Sequence, residues 1–151
     1  MTEEWLKEKG GLYFTNILDG IQAYPSHIVV MDREEAKEQF LLLWEKNGSK
    51  DSFLDFHYFQ LERDAQERVN SHLTENERMY LKQLKARAND GVIFSMERTL
   101  MEIAVKLNEM EVLFSTFYFT GEKSTWWGNY KTQYVVLWEA GKCPIASLTK
   151  N

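Results

Sequence analysis

Apolar residues recur along this chain at two spacings, one near 3.6 and one near 2, and the places where the period changes predict the elements. Thr2 to Lys9 reads as a short polar helix carrying Trp5 and Leu6, stopped by Gly10-Gly11. Phe14, Ile17, Leu18 and Ile21 then fall at helical spacing, and His27 to Met31 is a short β-branched run. Asp32 with Glu35 makes a capping box for a helix from about Arg33 to Lys46, whose buried face is Ala36, Phe40, Leu43 and Trp44. From Ser52 the spacing of Leu54, Tyr58, Leu61, Ala65 and Val69 predicts a further helix, although Phe53, Phe56 and Phe59 would equally suit the start of a strand.

Thr74 with Glu77 makes a second capping box, opening a helix that turns Tyr80, Leu81, Leu84 and Ala88 inward and is terminated at Asn89-Asp90-Gly91. Val92 to Phe94 is a brief strand. Ser95 is expected to cap the helix marked by Leu100, Ile103, Ala104 and Leu107. The period then shifts to 2: Glu111 to Thr120 reads as a strand with apolar residues on both faces, which belongs inside a sheet. Gly121-Glu122-Lys123-Ser124 turns the chain into a second long strand, Thr125 to Glu139. The expected fold is α+β, with several amphipathic helices packed on a small, mainly antiparallel sheet centred on a C-terminal hairpin.

Composition narrows the picture. At 151 residues with 44% apolar side chains, residues 1–151 are expected to form one globular domain with a core that needs neither metal nor disulfide. A net charge of -5 argues against general nucleic-acid binding, where neutralised phosphates supply most of the affinity. The one cysteine, Cys143, the absence of a secretory n- and h-region and of any membrane-length apolar run point to a cytoplasmic protein without a membrane partner.

Candidate chemistry is sparse. Gly121-Glu122-Lys123-Ser124 lacks the following helix that a phosphate loop requires, so it reads as a hairpin turn. The three histidines, His27, His57 and His72, form no metal-ligand pattern with Cys143 or with one another, and no cofactor is expected. His57, flanked by Asp55 and Tyr58, is the best general-base candidate, but no nucleophile or second acid is placed near it by spacing. Arg78, Lys82 and Lys85 make a small basic stripe at i, i+4 and i+7, explained most simply by the helix dipole and solubility.

One feature stands above this background. Trp126, Tyr130, Tyr134 and Trp138 occupy every fourth position, so a regular pleat puts them on one face, with Trp127 on the other unless Gly128 is a bulge that exchanges the two tryptophans. Tyr and Trp are enriched at binding hot spots. The expectation is therefore a non-enzymatic protein-binding module, such as an inhibitor, an immunity-type protein or an adaptor, that meets another protein through Trp126, Trp127, Tyr130, Tyr134 and Trp138. Its acidity would favour a basic partner. The alternative is a small-molecule-binding or enzymatic domain with an aromatic pocket and His57 as its polar group. Nucleic-acid contact through Arg78, Lys82 and Lys85 with stacking on the strip ranks last. An exposed aromatic strand would also serve for self-association.

Overall fold

Among the described residues, six strands form one antiparallel sheet in the order β1-β6-β5-β4-β2-β3, with six α-helices packed around it, an α+β architecture. The computed structural model of the chain describes residues 1–88 and 91–145, so Asn89 and Asp90 of the expected helix stop lie outside the described residues. The strands are β1 (Ser26–Val30), β2 (Ser52–Asp55), β3 (Ile93–Ser95), β4 (Thr116–Phe119), β5 (Ser124–Gly128) and β6 (Gln133–Trp138). The helices are α1 (Glu3–Lys9), α2 (Ile17–Ala23), α3 (Arg33–Asn47), α4 (Arg63–Asn70), α5 (Glu75–Arg87) and α6 (Arg98–Glu109).

The helices begin where local chemistry satisfies their first backbone N–H groups. Both capping boxes form: Asp32 and Thr74 each accept from the backbone of the residue three positions on, and Glu35 and Glu77 reach back to the cap. The helix α6 departs from expectation. Its N-cap is Glu97, with no side-chain cap bond, because Ser95 is spent in β3 opposite Phe53. This helix needs little capping, since Leu100, Met101, Ile103, Ala104, Val105 and Leu107 bury nearly its whole circumference.

The region after Ser52 is corrected from helix to strand. Phe53 and Leu54 are buried on opposite faces of β2, which lies between β3 and β4, so pairing with chain about 40 and about 65 residues away overrides the helical spacing. A 3-10 turn at Tyr58–Gln60 then leads into α4. The expected strand Thr125 to Glu139 is also corrected: it is two strands, β5 and β6, joined by a tight turn in which Lys131 and Thr132 both have positive φ (59° and 55°). Those signs at the two central residues mark the hairpin turn whose twist matches its strands, usually signalled by Asn-Gly. Gly128 is no bulge. It pairs regularly with Tyr134, and it is glycine because a Cβ there would sit 2.6 Å from the Ser115 carbonyl oxygen.

One face of the sheet carries the main core, where Leu54, Phe117, Phe119, Trp126, Tyr134 and Val136 meet α3 and α6. Phe40 of α3 is its centre, stacked on Phe117 at 4.0 Å and edge-on to Trp126 and Tyr134 at 5.6 and 5.5 Å. Asn108 is buried here with every polar atom engaged: Oδ1 accepts from Ser115 N, and Nδ2 donates to the Ser115 carbonyl and the Tyr134 hydroxyl. The N-terminal segment crosses the other face. Trp5 and Leu6 of α1 pack with Phe53 and Ile93, Tyr13 lies against Tyr118, Thr125 donates to the Leu12 carbonyl, and Gly20 of α2 sits on Leu137. Among the described residues no helix is long and apolar enough to cross a membrane.

Candidate functional site

Two places in the fold concentrate functional groups. The first is a groove of about 520 Å³ between the Tyr58–Gln60 turn, α4 and α5. Its wall is aromatic because β2 ends by driving Phe56 into the core, which leaves the next two rings, Tyr58 and Phe59, packed edge to face at 5.3 Å and half-buried. The wall is braced by polar contacts. The Tyr58 hydroxyl donates to Asn70 Oδ1 at 2.7 Å, and Gln66 Nε2 donates to the Tyr58 carbonyl at 2.9 Å. Arg78 Nη1 closes the C-terminus of α4 by donating to the carbonyls of Asn70 and Leu73, 3.1 and 2.6 Å away.

The opposite rim is the basic stripe of α5. Leu81 and Leu84 are buried, so Arg78, Lys82 and Lys85 are carried along the flank of the helix that faces the groove. Lys82 and Lys85 have no carboxylate within ion-pair distance among the described residues, and Arg78 is bonded to neutral carbonyls only. Among the described residues Glu75 is the one acidic residue in the lining. Glu77, on the other flank, is taken up by Lys106 at 2.6 Å and by the capping box. Burial alone would raise its pKa, but the hydrogen bonds from Lys106 and the Thr74 backbone outweigh it and hold the carboxyl below its ordinary value. The groove thus presents three cationic side chains beside an apolar lining of Leu81, Met79 and the two rings.

The second place is the end of β2. Asp55 is buried, with Oδ1 accepting from Thr116 N at 2.9 Å, and its Oδ2 lies 3.7 Å from His57 Nε2. The neighbouring Asp55 carboxylate raises the His57 pKa above its ordinary value, against a partial burial that lowers it. On the same side, Tyr13 donates to Glu3, and burial with the Glu3 contact pushes the Tyr13 phenol up to about 12. An aspartate beside a histidine is half of a general-base arrangement. No hydroxyl or thiol hydrogen-bonds His57 among the described residues, so no activated nucleophile accompanies it. His57 is not part of the groove lining, although the two rings that follow it are.

The Trp/Tyr strip is divided by the fold. Trp126 is 0% exposed, with its indole N–H donating to Ser124 Oγ, and Tyr134 is buried beside it under Phe40. Trp138 is half-buried against the same core, while Trp127 is half-buried on the opposite face. Tyr130 leaves the strand altogether: it lies in the β5–β6 turn, 60% exposed, edge to face with Phe114 at 4.8 Å. Trp126 and Tyr134 therefore offer no surface to a partner, and the strip does not form one continuous patch. No ring of the strip, the exposed Tyr130 included, lines the groove beside the basic stripe. Lys82 and Lys85 were visible in the sequence as a helical stripe, but their place in one groove with Tyr58 and Phe59 depends on how the Tyr58–Gln60 turn, α4 and α5 fold together. No protein-family model, curated protein or solved structure matches the chain, so a functional reading rests on these residues alone.

Proposed function

We propose that this protein is a binding domain for a small anionic molecule with a flat apolar body, held in the groove between α4 and α5. The observation that carries the reading is the combination of Lys82 and Lys85, which have no ion-pair partner among the described residues, with the Tyr58–Phe59 wall in a groove of about 520 Å³. That volume lies within the range of about 300–1,000 Å³ typical of small-molecule sites, which pair apolar walls with a few placed polar groups. An anion is favoured although the whole chain carries -5, because charges farther away than about 8–10 Å are screened at physiological salt while Arg78, Lys82 and Lys85 act at contact. The proposal is for binding without chemistry, since the Asp55–His57 pair stands outside the groove lining.

The test uses a matched pair of probes, 2-naphthoate and neutral 2-naphthol, titrated into isotope-labelled protein. Naphthoate is expected to shift the amides of Tyr58, Phe59, Lys82 and Lys85, and the double variant Lys82→Glu with Lys85→Glu to weaken it about tenfold or more, the equivalent of about 1.4 kcal/mol. Equal binding of naphthoate and naphthol, or binding indifferent to the charge reversal, overturns the reading. A second reading, a protein-binding module, keeps one residue of the strip: Tyr130 is exposed at a hairpin tip and braced by Phe114. A photo-crosslinking residue at position 130 tests it, with one discrete cross-linked partner expected and none overturning it.

A further inference from the structure

The two edges of the sheet are finished differently. At the β3 edge the outward N–H and C=O of Ile93 are both taken by Met1: Ile93 N donates to the Met1 carbonyl at 3.0 Å, and the Met1 amino group donates to the Ile93 carbonyl at 2.9 Å. At the other edge, the bonds from Trp138 N to the Pro25 carbonyl and from Met31 N to the Thr132 carbonyl bracket β1. With the Ile28–Val135 register and the alternation of an antiparallel ladder, they turn His27 and Val29 towards β6 and leave the N–H and C=O groups of Ser26, Ile28 and Val30 directed outward. No chain among the described residues pairs with them. The side chains there are apolar as well as open, Ile28 being 55% and Val30 62% exposed. They lie on the face where α2 packs through Gly20 on Leu137, and α2 adds the exposed Leu18 and Ile21.

Edge strands are ordinarily protected by a lysine, an inward charge, a proline or a bulge, and Ser26-His27-Ile28-Val29-Val30 contains none of these. We propose that the outer edge of β1 pairs antiparallel with β1 of a second copy of this chain, joining two sheets across a two-fold axis at Ile28. The register follows from the backbone. Outward-facing residues must meet outward-facing residues, and the arrangement that pairs all five sets Ile28 against Ile28, Ser26 against Val30 and His27 against Val29. Charge leaves the edge compatible with its own copy: β1 carries no charged residue to repel itself or to attract an acidic or basic partner, and the nearest charge, Asp32, falls opposite Tyr24 rather than another carboxylate. A five-residue strand pair with a few α2 side chains makes a small interface, below about 1,200 Å² in total, which places the complex among transient dimers.

Sedimentation equilibrium on the full chain tests this, with a concentration-dependent monomer–dimer equilibrium expected between about 10 and 500 µM for an interface of that class. Ile28→Lys and Val30→Lys are expected to weaken it tenfold or more with an unchanged near-ultraviolet circular dichroism spectrum. A second arm reads the register in a Cys143→Ser background, even where a lysine variant folds poorly. Ile28→Cys should cross-link to itself under mild oxidation, and Ser26→Cys should cross-link to Val30→Cys but not to itself. A wild-type chain that stays monomeric to about 500 µM, lysine variants that dimerise as well as wild type, or self-cross-linking of Ser26→Cys each overturn the proposal.

Discussion

Replacing Phe40 with alanine removes a fully buried ring that meets aromatic side chains of three strands, β4, β5 and β6. Phe40 is 0% exposed, lies 4.0 Å from Phe117 in a stacked pair, and presents its edges to Trp126 and Tyr134. Buried phenylalanine to alanine changes cost about 3–5 kcal/mol, as lost transfer energy plus the cavity left behind. Each well-placed aromatic pair adds about 0.5–1.5 kcal/mol beyond area, so the loss belongs at the upper end of that range. The site has little scope to collapse, because Phe117 and Trp126 are fixed in central strands and α6 closes the layer beside α3. Against a total stability of about 5–15 kcal/mol for a domain of this kind, such a loss removes between about a third and all of the margin. The measurement is a urea melt of wild type, Phe40→Ala and Phe40→Leu, read by circular dichroism and by tryptophan fluorescence. Phe40→Leu should recover more than half of the loss, since it refills most of the volume and forfeits only the ring contacts. A Phe40→Ala loss below about 1.5 kcal/mol, nearer to ordinary point substitutions, would refute the placement of α3 on this face of the sheet.

Thr132→Gly is expected to stabilise the fold by about 0.5–1 kcal/mol, because relief of a left-handed β-branched residue, about 1–2 kcal/mol, exceeds the added backbone freedom of glycine. A lowered midpoint in the same urea melt would show that the turn is held differently. For His57 the sign follows from its raised pKa in the folded chain: the stabilisation from Asp55 is fully present below the unfolded value of about 6.5 and is lost as pH rises through the folded pKa. The histidine side chain is 44% exposed, so the pair is screened and contributes no more than about 1 kcal/mol. The stability gap between wild type and His57→Gln should therefore shrink from about pH 5.5 to about pH 8.5, and a gap that widens over this range would contradict the pairing.

What the sequence alone determined is whatever is decided within a few residues. The capping boxes at Asp32 and Thr74 place α3 and α5, because cap and third residue complete each other's hydrogen bonds wherever the helix lies. The stripe of Leu100, Ile103, Ala104 and Leu107 marks α6 for the same reason: period is a property of the local chain. Tertiary structure decided the rest. Residues 52–55 carry a helical spacing and a strand composition together, and only pairing with Ile93–Ser95 and Thr116–Phe119 selects the strand. The turn at Lys131 and Thr132 gave no local signal, since neither residue is one that favours positive φ. Trp126 and Tyr130 share a spacing but not a fate: α3 lays Phe40 over the first, and the turn carries the second into solvent. In the same way, a basic stripe became the rim of a groove only when α4 brought Tyr58 and Phe59 beside it, and a short apolar strand became an open edge only when β6 covered its other side. Contacts between segments far apart in the chain carry no periodicity of their own, so these features could be recognised only after the chain had folded.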